Sequence, residues 1–251
     1  MKIENSVSNI FVRKISERSG AYLTKDEIMR IWMLSGGSKS RLTYALWVLL
    51  GKKLIECVCQ WLYSIKDIQI SSAYDYWLLI EKLIRLHAPS GGLIWGEKAL
   101  EMHLQNMSIP DVLIIYTRDT AKRVRLSDGR EVHFRTMVSW EKSWKKNLFK
   151  YLEEYSKNHW ELAYLSYEAA LLDALSLKRH DAWVEESNIL RFLKSFHKKL
   201  ERDILWGLVK YRYIRAINRL RVLSRDNGYE DLYKKTLDII RDEGGGCYVN
   251  V

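Results

Sequence analysis

The apolar residues of the first 50 positions recur every three or four residues, which is the spacing of helices that bury one face. This pattern predicts three helices, over residues 6–18, 25–34 and 38–50. The second helix begins at a capping box, in which Thr24 and Glu27 each bind a free backbone amide. Gly36 and Gly37 separate it from the third helix, for which Ser38 is the expected cap.

After residue 53 the pattern changes from helical to extended, and residues 54–58 and 62–65 are predicted to form a hairpin. The order helix, helix, turn, helix, hairpin is that of a winged helix-turn-helix domain. In such a domain the second helix braces the third, which enters the major groove of DNA. We expect Trp47 of the third helix to pack on a neighbouring domain. The DNA-binding residues expected on and beside this helix are Lys39, Ser40, Arg41, Thr43, Tyr44, Lys52 and Lys53.

The rest of the chain predicts a small sheet followed by helices. Helices are expected over residues 73–87 and 96–105, and strands over 111–117, 122–126 and 131–137. The Asp128–Gly129 pair predicts a hairpin between the last two strands. Beyond Trp140 the pattern is wholly helical, over residues 141–157, 166–177, 185–200, 202–224 and 229–242.

These elements predict an α+β fold that is predominantly helical, in two domains. Residues 1–68 form the winged helix-turn-helix domain, and residues 69–251 form an α/β domain with a small antiparallel sheet and a helical, basic C-terminal region. A chain of 251 residues buries enough apolar surface for two domains without disulfides or metals.

Composition favours a cytoplasmic protein. Three cysteines, Cys57, Cys59 and Cys247, leave any disulfide scheme incomplete, and the N-terminus lacks the apolar stretch of a secretion signal. The longest uninterrupted apolar run, residues 45–50, is far shorter than the roughly 20 residues of a membrane span. We therefore expect a reducing compartment and no membrane partner.

The net charge of +10 is unevenly distributed. The first 66 residues carry +6, and residues 191–225 contain 11 basic and two acidic residues. Either region could attract a polyanion or an acidic protein surface, and charge alone does not choose between them. A possible secondary basic surface comprises Lys194, Lys198, Lys199, Arg202, Lys210, Arg212, Arg215, Arg219 and Arg221.

The sequence contains no complete set of catalytic or metal-binding residues, and the match of Ser195 and Lys198 to an S-x-x-K nucleophile pattern is explained by chance. Cys57 and Cys59, two residues apart in a strand, are expected on one face, and no second ligand pair accompanies them as a zinc site would need. The Gly36–Ser40 segment lacks the first glycine of a phosphate-binding loop. The histidines form no catalytic motif, and His103 is expected in the core. We therefore expect no enzymatic activity, no metal and no cofactor.

Three stretches resemble the AbiEi family of type IV antitoxins, which belong to abortive-infection systems. Residues 21–65 are similar to the family's winged helix, which ends in an "LY" strand, here Leu62–Tyr63. Residues 92–137 resemble a helix with an "ALE.H" core, followed by a proline and strands. Residues 165–175, with sequence LSYEAALLDAL, resemble an "SPEKALLDLL" element.

The resemblance implies an antitoxin and transcriptional autoregulator that binds double-stranded operator DNA upstream of its own operon. It also implies counteraction of a nucleotidyltransferase-like toxin, with or without direct contact. The chain departs from the family at the wing tip, residues 56–61, which lacks arginine, and in an added helix-like stretch, about residues 142–160. The alternative is a protein-interaction module that binds and neutralises the toxin directly without binding DNA.

Overall fold

The computed structural model describes residues 2–17, 22–65, 72–136, 143–159, 162–176 and 186–244. The chain divides into two compact units. The first comprises Met1–Leu83 and Arg123–Val132, and the second comprises Ile84–Lys122 and His133–Val251. Among the described helices, none combines the length and apolar character that a membrane span requires.

The described residues are mostly helical, and the α+β fold class predicted from the sequence is confirmed. The α-helices are α1 (Lys2–Ser16), α2 (Lys25–Leu34), α3 (Leu42–Gly51), α4 (Ala73–His87), α5 (Gly96–His103), α6 (Ser143–Glu154), α7 (Tyr167–Ala174), α8 (Glu186–Phe196), α9 (Arg202–Leu208), α10 (Ile214–Asp226) and α11 (Glu230–Asp242). The strands are β1 (Tyr22–Thr24), β2 (Ile55–Cys59), β3 (Leu62–Ile65), β4 (Gly92–Ile94), β5 (Val112–Thr117), β6 (Lys122–Arg125), β7 (Glu131–Thr136), β8 (Lys157–His159) and β9 (Leu162–Tyr164).

The first unit contains the winged-helix arrangement. Helices α1, α2 and α3 precede the β2–β3 hairpin, and β1 adds a third antiparallel strand in the order β1-β3-β2. Strand β1 is absent from the sequence prediction because three residues are too few to show alternation. The core between helices and sheet includes Phe11, Ile28, Trp32, Leu49 and Ile55, all buried.

The predicted capping box fixes the start of α2. The Thr24 hydroxyl accepts from the Glu27 amide at 3.2 Å, and the Glu27 carboxylate accepts from the Thr24 amide at 2.8 Å. The same carboxylate pairs with Lys82 of α4 at 3.0 Å. Burial raises the pKa of Glu27, but the hydrogen bonds from Thr24 and Lys82 outweigh it and lower the pKa below its ordinary value. Lys82 lies in the part of α4 that belongs to the first unit, which extends to Leu83, whereas the boundary predicted from the sequence is residue 68.

The second sheet has six strands in the order β6-β7-β5-β4-β9-β8. It is mixed, because β4 pairs antiparallel with β5 and parallel with β9. This sheet is therefore larger than the small antiparallel sheet predicted for residues 69–251, and it contains a parallel pair. The expectation that everything beyond Trp140 is helical is wrong. Strands β4, β8 and β9 have three residues each. Such short strands carry too little period-2 signal to be distinguished from loops.

Helix α7 lies at the centre of the second unit. Its residues from Glu168 to Asp173 are all buried, and Ser166 caps it by accepting from the Ala169 amide. The single helix predicted over residues 202–224 is interrupted by a π-helical turn, Val209–Tyr213, between α9 and α10. The interruption follows Gly207, where a Cβ would overlap the ring of Tyr151, whose hydroxyl donates to the Ile204 carbonyl at 3.1 Å.

Candidate nucleic-acid interface

The turn between α2 and α3 is built on two glycines and a tryptophan. Gly36 has a φ of 92°, in the left-handed region. Gly37 lies against the Trp32 indole so closely that a Cβ would overlap the ring. The Trp32 indole nitrogen donates to the Ser38 carbonyl at 2.8 Å. The packed indole and this hydrogen bond hold the start of the following helix.

The third helix begins differently from the prediction. A 3-10 turn, Lys39–Arg41, precedes α3, and Ser38 makes no side-chain capping bond. The Ser38 hydroxyl instead lies 3.1 Å from the hydroxyl of Ser40. The prediction that the Ser38 side chain caps the third helix is therefore wrong. The tighter 3-10 turn changes which backbone amides this side chain can reach.

The seven candidate DNA-binding residues are all exposed. Leu42, Ala45, Leu46 and Leu49 form the buried face of α3. The opposite face and both ends carry Lys39, Ser40, Arg41, Thr43, Tyr44, Lys52 and Lys53. At the C-terminal end, Lys53 has a φ of 53°, which turns the chain into β2. The fold therefore leaves all seven exposed along α3 and at its two ends, and we call this set the α3 surface.

The α3 surface is strongly basic. Residues 28–55 include Arg30 and the four cationic candidates, and they contain no acidic residue. The cations lie at both ends of α3, since α3 itself has neither charged nor carboxamide side chains. Such an arrangement provides positive charge for phosphates on either side of a groove.

Trp47 also belongs to the α3 surface. It is 69% exposed, so the expectation that it packs on a neighbouring domain is wrong. It lies three residues after Tyr44, on the same outer face, and the two ring centroids are 6.4 Å apart. Leu50, one turn further on, is also exposed. An aromatic and aliphatic strip therefore runs along α3 between its two cationic ends.

A cation of α2 lies beside the wing, a contact that the sequence did not reveal. The β2–β3 hairpin turns at Gln60 and Trp61, and Trp61 has a φ of 75°. The Lys25 ammonium of α2 lies 4.2 Å from the centroid of the Trp61 ring. The tip lacks arginine, but Lys25, 36 residues away in sequence, supplies a positive charge beside it.

The two cysteines of β2 lie on different sides of the strand. Cys57 is exposed and Cys59 is buried, because the register against β3 shifts between them. The expectation that both share one face is therefore wrong, since a β-bulge offsets the alternation. Within the described ranges, no three His, Cys, Asp or Glu side chains are grouped as a metal site would require.

The possible secondary basic surface separates into exposed and engaged residues. Arg221 is 2% exposed, and its Nε donates to the Asn218 side chain at 3.0 Å, so it is not a surface residue. Arg219 donates to the Leu175 carbonyl, and Arg202 pairs with Asp242 at 2.6 Å. The side chain of Arg212 is not among those that the structure describes. The exposed members are Lys194, Lys198, Lys199, Lys210 and Arg215.

Helix α8 carries the clearest basic face of the second unit. Arg191 and Lys194 of α8 are exposed, as is Lys198 of the 3-10 turn His197–Lys199 that follows it, whereas Ile189, Phe192 and Leu193 of α8 are buried. No acidic residue occurs between Ser187 and Leu200. We call this set of three cations the α8 basic face.

A cavity of about 330 Å³ in the second unit is lined by Trp95, Lys98, Glu101 and Val112, among others. The Lys98 ammonium is buried and donates to the Glu101 carboxylate at 2.7 Å, and to the Asn106 carbonyl and Ser108 hydroxyl at 3.0 Å. All three of its protons are therefore used within the protein. The cluster holds the segment after α5 and leaves the ammonium no proton for a ligand.

His103 is a core residue, as expected. It is 7% exposed, its Nε2 lies 2.8 Å from the Leu165 carbonyl, and its ring stacks on Tyr167. Burial lowers its pKa to about 4, and nearby Lys157 acts in the same direction, against the hydrogen bonds to Leu165 and Ser166. The side chain is therefore neutral at physiological pH and structural in role.

This shifted pKa predicts a loss of stability in acid. Because the unfolded chain takes up the proton near pH 6.5 and the folded chain near pH 4, stability falls as the pH drops through that window. Between pH 7 and pH 5 the contribution of His103 is about 2 kcal/mol. In urea unfolding, we expect the free energy of unfolding of His103→Gln to fall by about 2 kcal/mol less than that of the wild type between about pH 7 and pH 5.

The comparison with His103→Gln isolates one histidine. His87 also has its pKa lowered to about 4, chiefly by burial and secondarily by Lys122, and it remains in both proteins. Equal acid-induced losses of unfolding free energy in the wild type and in His103→Gln would contradict the assignment.

Comparison with known proteins identifies the fold. No protein-family model matches the chain. No curated protein matches it either. Among solved structures, the RV2827C protein from Mycobacterium tuberculosis is similar, with a TM-score of 0.62 and 16% sequence identity. The match covers 93% of this chain and 81% of that one. At this identity the similarity is one of fold alone, and it extends over both compact units.

Proposed function

We propose that this protein is a DNA-binding transcriptional regulator that contacts the major groove through its α3 surface. The observation that carries the proposal is the exposure of Lys39, Arg41, Lys52 and Lys53 at the two ends of a helix whose opposite face is buried. The central turns of α3 have no charged side chains and can enter the major groove. The cations at its two ends are then placed to contact the phosphates on either side.

Two further groups of cations support the proposal, one beside the wing and one on the second unit. Lys25 beside Trp61 provides a phosphate contact at the wing, in place of the missing arginine. The α8 basic face adds contacts that do not depend on base sequence. Of the nine residues of the secondary basic surface, Arg221 has no part in this role because it is buried.

The biological role proposed is that of a cytoplasmic type IV antitoxin that represses its own operon, without enzymatic activity. This part rests on the three stretches that resemble the AbiEi family. The toxin to be counteracted is a nucleotidyltransferase-like enzyme. In the second unit two of the three stretches meet, because His103 of the "ALE.H" element binds the Leu165 carbonyl just before α7.

The alternative is a protein-interaction module that neutralises a toxin by direct binding. The aromatic and aliphatic strip of α3 favours it, since Tyr44, Trp47 and Leu50 are apolar surface of the kind that protein partners cover. The narrowness of the strip and the cations at both ends favour DNA over a protein partner.

A mobility-shift and footprinting assay on the DNA upstream of the gene tests the proposal. The wild type is expected to protect a defined site, and the double variant Lys39→Ala, Arg41→Ala to bind at least about tenfold more weakly, as for loss of contacts worth roughly 1 kcal/mol or more each. Lys234→Ala, an exposed cation on α11, serves as the charge-matched control and should bind as the wild type does. Failure of the wild type to bind at low salt would refute DNA binding.

A further inference from the structure

The chemistry of α3 limits how it can read a base sequence. Discrimination of guanine or adenine by a bidentate contact needs Arg, Lys, Asn or Gln. From Leu42 to Gly51, α3 has none of these. Its side chains facing outward are Thr43, Tyr44, Trp47 and Leu50, of which three are large and apolar.

One feature of the major groove matches such a strip. Thymine alone among the four bases presents a methyl group there, and apolar side chains contact it. Tyr44 is 51% exposed and Trp47 is 69% exposed, so both have apolar surface to cover. Burial of a methyl group against either ring removes apolar surface from water on both partners.

We propose that the strip formed by Tyr44, Trp47 and Leu50 recognises thymine methyl groups in the major groove of duplex DNA. This inference rests on the proposed function and adds the base that α3 reads. Sequence selectivity along α3 comes from apolar contact, while Lys39, Arg41, Lys52 and Lys53 at its ends bind phosphates.

The length of the strip sets how many base pairs it reads. Leu50 lies six positions after Tyr44, which is about 9 Å along a helix rising about 1.5 Å per residue. With base pairs about 3.4 Å apart, the strip spans about three of them. The thymines that matter are therefore expected within about three consecutive base pairs of each bound site.

The charge around the strip favours DNA over a protein or a second copy of this chain. Residues 28–55 have five basic and no acidic side chains, so an acidic groove complements both ends of the strip. The apolar portion is one side of a ten-residue helix. Its area is smaller than the roughly 800 Å² per partner that a stable protein interface buries.

Replacement of thymine by uracil tests the proposal, because deoxyuridine lacks only the methyl group and keeps its base pairing. The probe is a duplex selected by the full chain from a random-sequence library, with each thymine replaced in turn. We expect about fourfold weaker binding for each contacted methyl group that is removed, because burial of one such group contributes about 0.8 kcal/mol. Sensitive positions should cluster within about three base pairs.

Protein variants assign the effect to the strip. When the thymine that Trp47 contacts is replaced by uracil, Trp47→Ala should bind the two duplexes with equal affinity. Lys52→Ala should weaken both duplexes by the same factor and keep their ratio. Val112→Ala, which removes an exposed apolar side chain of β5 in the other compact unit, should keep wild-type affinity and the wild-type ratio.

Different outcomes separate this inference from the proposed function. Tight binding with equal affinity for thymine and uracil duplexes overturns the thymine assignment alone. If Tyr44→Ala, Trp47→Ala and Leu50→Ala each keep the wild-type thymine preference at every sensitive position, the assignment to the strip is overturned. If Trp47→Ala changes the oligomeric state and leaves DNA affinity unchanged, the strip is a protein interface. The absence of any duplex binding at low salt overturns the proposed function and this inference together.

Discussion

Arg221→Ala is expected to destabilise the second unit by roughly 3 kcal/mol or more. The substitution removes a long side chain that is 2% exposed and leaves the Asn218 side chain without the Nε donor. Truncation of a large buried side chain to alanine costs about 2–5 kcal/mol, and an unsatisfied buried polar group adds about 1–3 kcal/mol. Urea unfolding followed by circular dichroism measures the loss.

A matched control lies on the same helix. Arg215 of α10 is exposed, so Arg215→Ala should change the free energy of unfolding by less than about 0.5 kcal/mol. Near-wild-type stability of Arg221→Ala would show that the side chain is not buried in solution. In that case Arg221 would return to the secondary basic surface.

Gly37→Ala is expected to destabilise the first unit by about 2 kcal/mol, within the range for overpacking a tight site. The added Cβ would overlap the Trp32 indole, which is itself buried in the core and held by its bond to the Ser38 carbonyl. Either the indole or the turn must move, and both position the start of α3. Thermal unfolding measures the stability loss, and DNA affinity should fall with it.

Gly51→Ala provides the control for this prediction. Gly51 is the last residue of α3, and a Cβ there would meet no atom within 4 Å. The substitution should be neutral or slightly stabilising, because alanine favours a helix more than glycine does. If Gly37→Ala and Gly51→Ala have equal melting temperatures, the packing of the turn against Trp32 is not as described.

Elements with a long, regular pattern were predictable from sequence. Helix α4 occupies the predicted residues 73–87, because its apolar positions repeat over four turns. The capping box at Thr24 and Glu27 likewise depends on near neighbours. Strands β4, β8 and β9 were missed, since three residues give no measurable alternation and their pairing depends on distant segments.

The candidate site was predictable where helix geometry alone places the residues. Thr43 and Tyr44 follow from the buried positions Leu42 and Ala45. The contact of Lys25 with Trp61 depends on the hairpin bringing together residues distant in sequence, so no local pattern reports it. The burial of Arg221 could have been predicted, because it lies four residues after the buried Ile217, on the inner face of α10.

The dependence of duplex affinity on salt concentration, compared between the wild type and the Lys39→Ala, Arg41→Ala double variant, tests the central claim most directly. If both cations bind phosphates, the slope of log affinity against log salt should be shallower by about 2 in the variant. Lys234→Ala should keep the wild-type slope. Equal slopes for the wild type and the double variant would contradict the assignment of the α3 surface as the DNA-binding site.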